Sequence, residues 1–192
     1  MRLFVGVELD DEVRAACAGA ARVAEERLRG AGAPSIRWIP PENLHITLAF
    51  LGHLAESKTD SIVGALGGDW AAEEFPFGLA GAGAFPPSGP PRTLWVGVGQ
   101  GSERLGELYR GVAERLSGVG IEPERRPYHP HITIGRVKHA SRGAARRVRV
   151  VLEAVRVANA SGRVNSVTLF ESRLSSIGAR YERLLRVPLK AC

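Results

Sequence analysis

One four-residue pattern occurs twice in this chain, as His45-Ile46-Thr47-Leu48 and as His131-Ile132-Thr133-Ile134, each inside an apolar run. Such alternation predicts a half-buried strand. Alternate side chains of a strand share a face, so in each copy the His and the Thr point one way and the aliphatics the other. Two such strands facing each other bring two imidazoles and two hydroxyls to one spot. The chain holds only five His and five Thr in 192 residues. Two accidental copies on that composition are improbable, on the order of one in a thousand, so a shared role is the better reading.

The length fits one domain, or two small lobes sharing a core. The expectation is a single two-lobed domain over residues 1–192, with lobes that are not separable as independent domains. A hydrophobic content of 44% and a charged content of 24% describe an ordinary globular protein. No apolar run approaches the ~20 residues needed to span a bilayer. The first residues meet Glu8, Asp10 and Asp11 too soon for a signal peptide. No membrane partner is expected. Cys17 and Cys192 are far apart and unpatterned, which suggests neither a disulfide framework nor a zinc cluster. A reducing cytoplasm is the default compartment.

A net charge of +6 and a pI near 10 favour polyanionic partners such as RNA. The signal is permissive only: three of the 26 basic residues are Lys, and the Arg, Ala and Gly bias is what a GC-rich genome produces unselected.

Along the chain, residues 2–9 read as a strand, and Asp10 or Asp11 can cap a helix with Val13, Ala16, Cys17, Ala20, Val23, Ala24 and Leu28 on one stripe. Pro40-Pro41 predicts a rigid extended lead-in to the first motif strand, Leu44 to Leu51, and not a helix. Ala55 to Leu66 reads as a helix and Phe75 to Ala84 as a strand. The Pro- and Gly-rich stretch from Phe85 to Pro91 links two halves. Thr93 to Val98 is a strand, Ser102 to Leu116 an amphipathic helix, and His131 to Val137 the second motif strand. Glu122 to Pro127 reads as a loop. Ser141 can cap a basic helix to about Val155, whose Arg142, Arg146, Arg147 and Arg149 read as a solvated face rather than an RNA groove. Val164 to Phe170 and Tyr181 to Val187 are the last strands. Short links and mixed elements favour antiparallel α+β over a doubly wound sheet. Neither G-x-x-x-x-G-K-S/T nor G-x-G-x-x-G is present, which argues against nucleoside triphosphate and dinucleotide chemistry.

Histidine gives and takes protons near neutrality. One His acting as base and one as acid is a division suited to phosphodiester cleavage without metal. Thr hydroxyls two residues away can donate to non-bridging phosphoryl oxygens as charge develops on them. A metal site is disfavoured: none of the four Asp lies beside a motif, and Pro130 constrains His129 against His131. No metal or other cofactor is expected.

The chain resembles the two-histidine (HxTx) phosphoesterase superfamily, and more narrowly the bacterial and archaeal RNA 2′,3′-cyclic phosphodiesterases, also called 2′-5′ RNA ligases. The resemblance runs from Arg2-Leu3-Phe4-Val5 through Asn43-Leu44-His45-Ile46-Thr47-Leu48 and Phe50-Leu51-Gly52. It continues through Leu94-Trp95-Val96-Gly97-Val98 and Pro130-His131-Ile132-Thr133-Ile134-Gly135-Arg136 to Leu169-Phe170-Glu171-Ser172, Gly178-Ala179-Arg180-Tyr181 and Val187-Pro188-Leu189. It implies an α+β bilobal fold: two antiparallel sheets facing a central cleft, with outer helices and pseudo-twofold symmetry. It implies hydrolysis of an RNA terminal 2′,3′-cyclic phosphate to a 2′-phosphomonoester, with joining of RNA ends through a 2′-5′ bond as the reverse activity. In that pattern His45 is the proton donor, His131 the proton acceptor, and Thr47, Thr133 and Arg136 hold the phosphate. Strict alternation sets Arg136 on the face opposite His131, so a bulge or strand end has to rotate it. Trp38, Phe50 and Tyr128 lie near the motifs and could stack on a base, and none is assigned. The partners implied are RNA with a cyclic phosphate end, tRNA fragments or small cyclic nucleotides, acted on by a monomer. Two other readings stay open: a related phosphodiesterase acting on another cyclic nucleotide or oligonucleotide, and a non-catalytic RNA-binding module.

Overall fold

The motif strands are the two innermost strands of the molecule. In a computed structural model, which describes residues 1–30, 32–122, 127–175 and 178–191, these are β3 (His45–His53) and β6 (His131–His139). Around them lie β1 (Arg2–Glu8), β2 (Ser35–Trp38), β4 (Phe75–Phe85), β5 (Thr93–Val98), β7 (Ser161–Val164), β8 (Ser166–Ser175) and β9 (Gly178–Pro188). The strand order is β7-β4-β5-β6-β3-β1-β8-β9, with β2 on β6, and every strand pairing is antiparallel. The order is its own mirror about the β6/β3 line: β5 answers β1, β4 answers β8, and β7 answers β9. The two halves of the sheet meet through one residue pair, Ile46 and Ile132. This is the expected antiparallel α+β architecture with pseudo-twofold symmetry, the two expected sheets being the halves of one nine-stranded sheet joined at β3 and β6.

Four helices cover the core side: α1 (Asp11–Leu28), α2 (Thr59–Leu66), α3 (Ser102–Ser117) and α4 (Arg142–Glu153). They cross-pack, α1 against α4 and β6, and α3 against α2 and β3. Helix α1 buries Val13, Cys17, Ala20, Ala24 and Leu28, most of the stripe read from its spacing. Ile46, Leu48, Ile132 and Ile134 are buried in the same core. Burying aliphatics of this size stabilises the fold by roughly 1.5–3 kcal/mol each. It also determines which face of β3 and β6 is left for chemistry.

Several local expectations need correction. Pro41–Asn43 forms a single 3₁₀ turn, because a proline's missing N–H costs nothing in a first helical turn. Asp10 stands at the N-cap of α1 without capping it; its Oδ2 instead accepts from the Arg163 N–H at 2.7 Å. Helix α2 starts at Thr59, after a 3₁₀ turn over Glu56–Lys58. Ser141 does cap α4, accepting from Ala144 N at 3.2 Å. Two arginines of α4 are not simply solvated: Arg147 donates to Arg27 O and Arg29 O, and Arg149 to Pro86 O and Gly89 O. Residues 123–126 of the expected loop, and Cys192, lie outside the described residues.

Candidate active site

Register decides what the outward face holds. With Ile46 opposite Ile132, extending the antiparallel pairing one residue each way sets His45 across from Thr133 and Thr47 across from His131. The four polar residues therefore form a diagonal quartet on the face opposite the core. Beyond it both strands are irregular in the same way. The partner of β3 skips from Gly6–Thr47 to Val5–Ala49, and that of β6 skips from Trp95–Thr133 to Leu94–Gly135. Each skip is a β-bulge. Each leaves two consecutive buried residues, Leu48 with Ala49 and Ile134 with Gly135, followed by one exposed residue. That residue is Phe50 in β3 and Arg136 in β6. The bulge turns Arg136 onto the His/Thr face, and the Arg136 charge acts on both His45 and His131. Phe50 is its pseudo-twofold counterpart, 51% exposed.

Both imidazoles are oriented by the same local device. His45 Nδ1 lies 2.8 Å from Asn43 O, and His131 Nδ1 lies 2.7 Å from His129 O. A carbonyl only accepts, so each Nδ1 carries its proton and each Nε2 is left for the cleft. Asn43 is itself held, donating from Nδ2 to Ala179 O at 2.7 Å. His45 Nε2 is 3.0 Å from Thr47 Oγ1, which makes the Thr47 hydroxyl the donor. Burial, with smaller contributions from Arg136 and His131, pushes the His45 pKa down to about 4; the Asn43 carbonyl opposes the shift. Burial, with Arg136 and His129, lowers His131 as well, against the pull of the His129 carbonyl. Both rings are thus neutral at pH 7 before a ligand arrives.

Aromatic side chains wedge the rings in place. Phe4 lies 4.6 Å from the His45 ring, centroid to centroid, and Tyr181 meets it edge-on at 5.3 Å. Phe85 meets His131 edge-on at 5.1 Å. Gly6 leaves room for this packing: a Cβ there would stand 2.8 Å from Ile46 O and 3.4 Å from His45 Cδ2. Trp95, the β5 neighbour of Thr133, lies over Gly83 and Gly97. Its buried Nε1 has no hydrogen-bond partner among the described residues. Glu8, next to His45 in register, has its charge met by Arg183 at 2.9 Å and Arg186 at 3.4 Å. Of the aromatics near the motifs, Tyr128 stacks on Tyr109 and donates to Thr47 O at 3.2 Å, while Trp38 packs where a Cβ of Gly135 would point. Only Phe50 is on the open face. Phe4 and Tyr181 belong to segments that carry the resemblance and Phe85 to the linking loop, but none was read as a site residue, because their contacts with the imidazoles are made across strands. Among the described residues no group of three His, Cys, Asp or Glu side chains is gathered as for a metal ion.

A diagonal pair of imidazoles, two hydroxyls and a guanidinium on one face of adjoining strands is the equipment of a two-histidine phosphoesterase. Residues 9–174 match the family model of the 2′-5′ RNA ligase superfamily, and the chain belongs to that superfamily. It is 36% identical over 152 residues to an RNA 2′,3′-cyclic phosphodiesterase of Aeropyrum pernix, covering 79% of this chain and 85% of that one. It is 33% identical to one of Methanothermobacter thermautotrophicus, covering 94% and 95%. Among solved structures, E. coli LigT complexed with 3′-AMP superposes with a TM-score of 0.71 at 27% identity, covering 98% of this chain and 97% of that one.

Proposed function

We propose that this protein hydrolyses the 2′,3′-cyclic phosphate at an RNA end to a 2′-phosphomonoester, with one histidine as general base and the other as general acid and without a metal. The observation that carries this reading is the Ile46–Ile132 pairing, which leaves His45, Thr47, His131 and Thr133 on one face of adjoining strands. The names of the relatives support the substrate class.

In this reading His131 Nε2 takes a proton from water as the water oxygen attacks phosphorus. The P–O3′ bond breaks, and O3′ takes the proton carried by His45 Nε2. Thr47, Thr133 and Arg136 donate to the non-bridging oxygens, whose charge they stabilise in the transition state. His45 needs a proton to act as acid, and burial holds its ring neutral at neutral pH. The bound phosphoryl anion supplies the missing condition, since an adjacent negative charge favours the imidazolium. Substrate therefore loads its own acid. With a 5′-hydroxyl of a second RNA in place of water, the same groups join two ends through a 2′-5′ bond. The buried free Cys17 thiol, pushed up to about 12 by burial, is compatible with a reducing cytoplasm, where cyclic-phosphate RNA ends such as tRNA fragments are the substrates.

The test is turnover of a 2′,3′-cyclic nucleotide with EDTA present, with product analysis. The expected product carries phosphate on O2′ alone, and His45→Ala or His131→Ala each lowers kcat by about 10²–10⁴-fold. A substrate with sulfur at the 3′ position needs no proton on its leaving group, so it restores His45→Ala and leaves His131→Ala slow. Full turnover in either Ala variant, or phosphate left on O3′, refutes the assigned roles.

A further inference from the structure

The basic side chains of this protein fall into two groups. Many are tied to neighbours: Arg115 donates to Ala65 O, Gly67 O and Asp69 O, and Arg173, Arg183 and Arg186 pair with glutamates. Others, Arg2, Arg22, Arg142, Arg146 and Lys190 among them, are exposed and enter none of the ion pairs of the described residues, and so are Arg37, Arg92, Arg136 and Lys138, which differ in lying together. Arg37 on β2 and Thr93 on β5 are the two lateral partners of Arg136, so the three share a face across adjoining strands. Lys138 follows two residues later on the same strand, about 7 Å on. Arg92, Thr93, Arg136, Lys138 and His139 line a groove of about 560 Å³, walled by Pro90 and Pro91, with no carboxylate in its lining.

Like charges set directly opposite on adjoining strands destabilise a sheet, and Arg37 faces Arg136 in register with no acid between them. A polyanion laid in the groove relieves that repulsion. Arg136 belongs to both places, since its charge reaches His45 and His131 and it also lines the groove. The groove therefore starts where the reacting phosphorus of the proposed function lies, and it leads away along β6.

We propose that this groove binds the sugar-phosphate backbone of the nucleotides on the 5′ side of the cyclic end, so that a strand of RNA, not a free cyclic nucleotide, is the preferred substrate. This rests on the phosphodiesterase reading and sharpens it. Successive phosphates meet Arg136 and then Lys138 or Arg92, while His139 is placed to donate to sugar or phosphate at the far end. Backbone contacts of this kind are independent of base sequence and strongly dependent on salt.

Two measurements test it. In the first, kcat/KM for a tetranucleotide ending in cyclic phosphate is compared with that for the 2′,3′-cyclic mononucleotide. The oligonucleotide is expected to be faster by about tenfold or more, and the Arg92→Ala/Lys138→Ala double variant to remove most of that ratio, on the scale of one or two charge-assisted contacts. Lys190→Ala, which removes a charge elsewhere, leaves the ratio as it was. In the second, fluorescence anisotropy follows a 5′-labelled oligonucleotide ending in 2′-phosphate across salt concentrations. The double variant is expected to flatten the slope of log Kd against log salt by about 0.7 per cation removed. Equal rate constants for the two substrates, a ratio the double variant does not change, or an unaltered salt slope overturns the proposal. Absence of turnover on both substrates refutes the phosphodiesterase reading instead, and the anisotropy slope still decides the groove.

Discussion

His45 is a titratable group that the fold holds in its neutral form, and this has a measurable cost in acid. Its folded pKa of about 4 lies below the ordinary value near 6.5. Between the two, the unfolded chain binds the proton and the folded chain does not, so stability falls as the pH drops through that window and is fully present above it. The loss attributable to this group between pH 7 and pH 4 is about 3 kcal/mol, an order-of-magnitude figure. Urea unfolding of the parent and of His45→Asn across that range isolates it, because the carboxylates titrating nearby are common to both; equal slopes would show that burial is not holding the ring neutral. A related expectation is that inorganic phosphate, followed by NMR titration of the ring protons, raises the His45 pKa. Gly6→Ala is predicted to lower kcat more than it lowers stability, because its Cβ meets Ile46 O at 2.8 Å and displaces the strand that carries His45. At this scale the motifs were readable in the sequence, since a polar residue every second position in an apolar run leaves a local trace. The roles of Phe4, Phe85 and Tyr181 leave none, because their contacts with the imidazoles are made across strands.

The two motif strands are built to one rhythm, buried residues alternating with partly exposed ones and then doubled at Leu48-Ala49 and Ile134-Gly135. The doubling is what brings Arg136 round to the cleft. Alternation alone assigns it the wrong face, and the need for an irregularity could be stated from the sequence but not located. Gly135 is where the location becomes visible: a Cβ there would stand 3.1 Å from the Trp38 ring and 3.2 Å from Ile36 Cγ2. Gly135→Val is predicted to destabilise by about 1–3 kcal/mol through overpacking. It is also predicted to raise KM, because the bulge that aims Arg136 is disturbed; thermal melts and steady-state kinetics read the two effects separately. Capping was readable where the cap is local, at Ser141, and misleading at Asp10, whose carboxylate is claimed by β7 from 153 residues away. Strand β7 itself, four residues long, is too short to show a period.

At the scale of the molecule, the first strand of the chain lies between β3 and the late strand β8, while β4, from before the Pro-rich loop, completes the other half. Neither half of the sheet is formed by a continuous stretch of sequence, and α1 and α3 each pack beneath the opposite motif strand. Such interleaving predicts a single cooperative transition: the NMR signals of His45 and His131, one from each half, should vanish at the same urea midpoint. Separate midpoints would mean independent units. The division into two halves about the Pro-rich loop was apparent in the sequence, but the exchange was not, because pairing partners far apart in the chain carry no common pattern. Palindromes have no heading of their own, and a guest seated on this one would be free to lie either way round. Its orientation has to come from the places where the two halves disagree, above all the benzyl ring of Phe50 against the guanidinium of Arg136. Phe50→Arg, which erases that disagreement, should let the cyclic ester be opened from both ends and yield a mixture of 2′- and 3′-monophosphates.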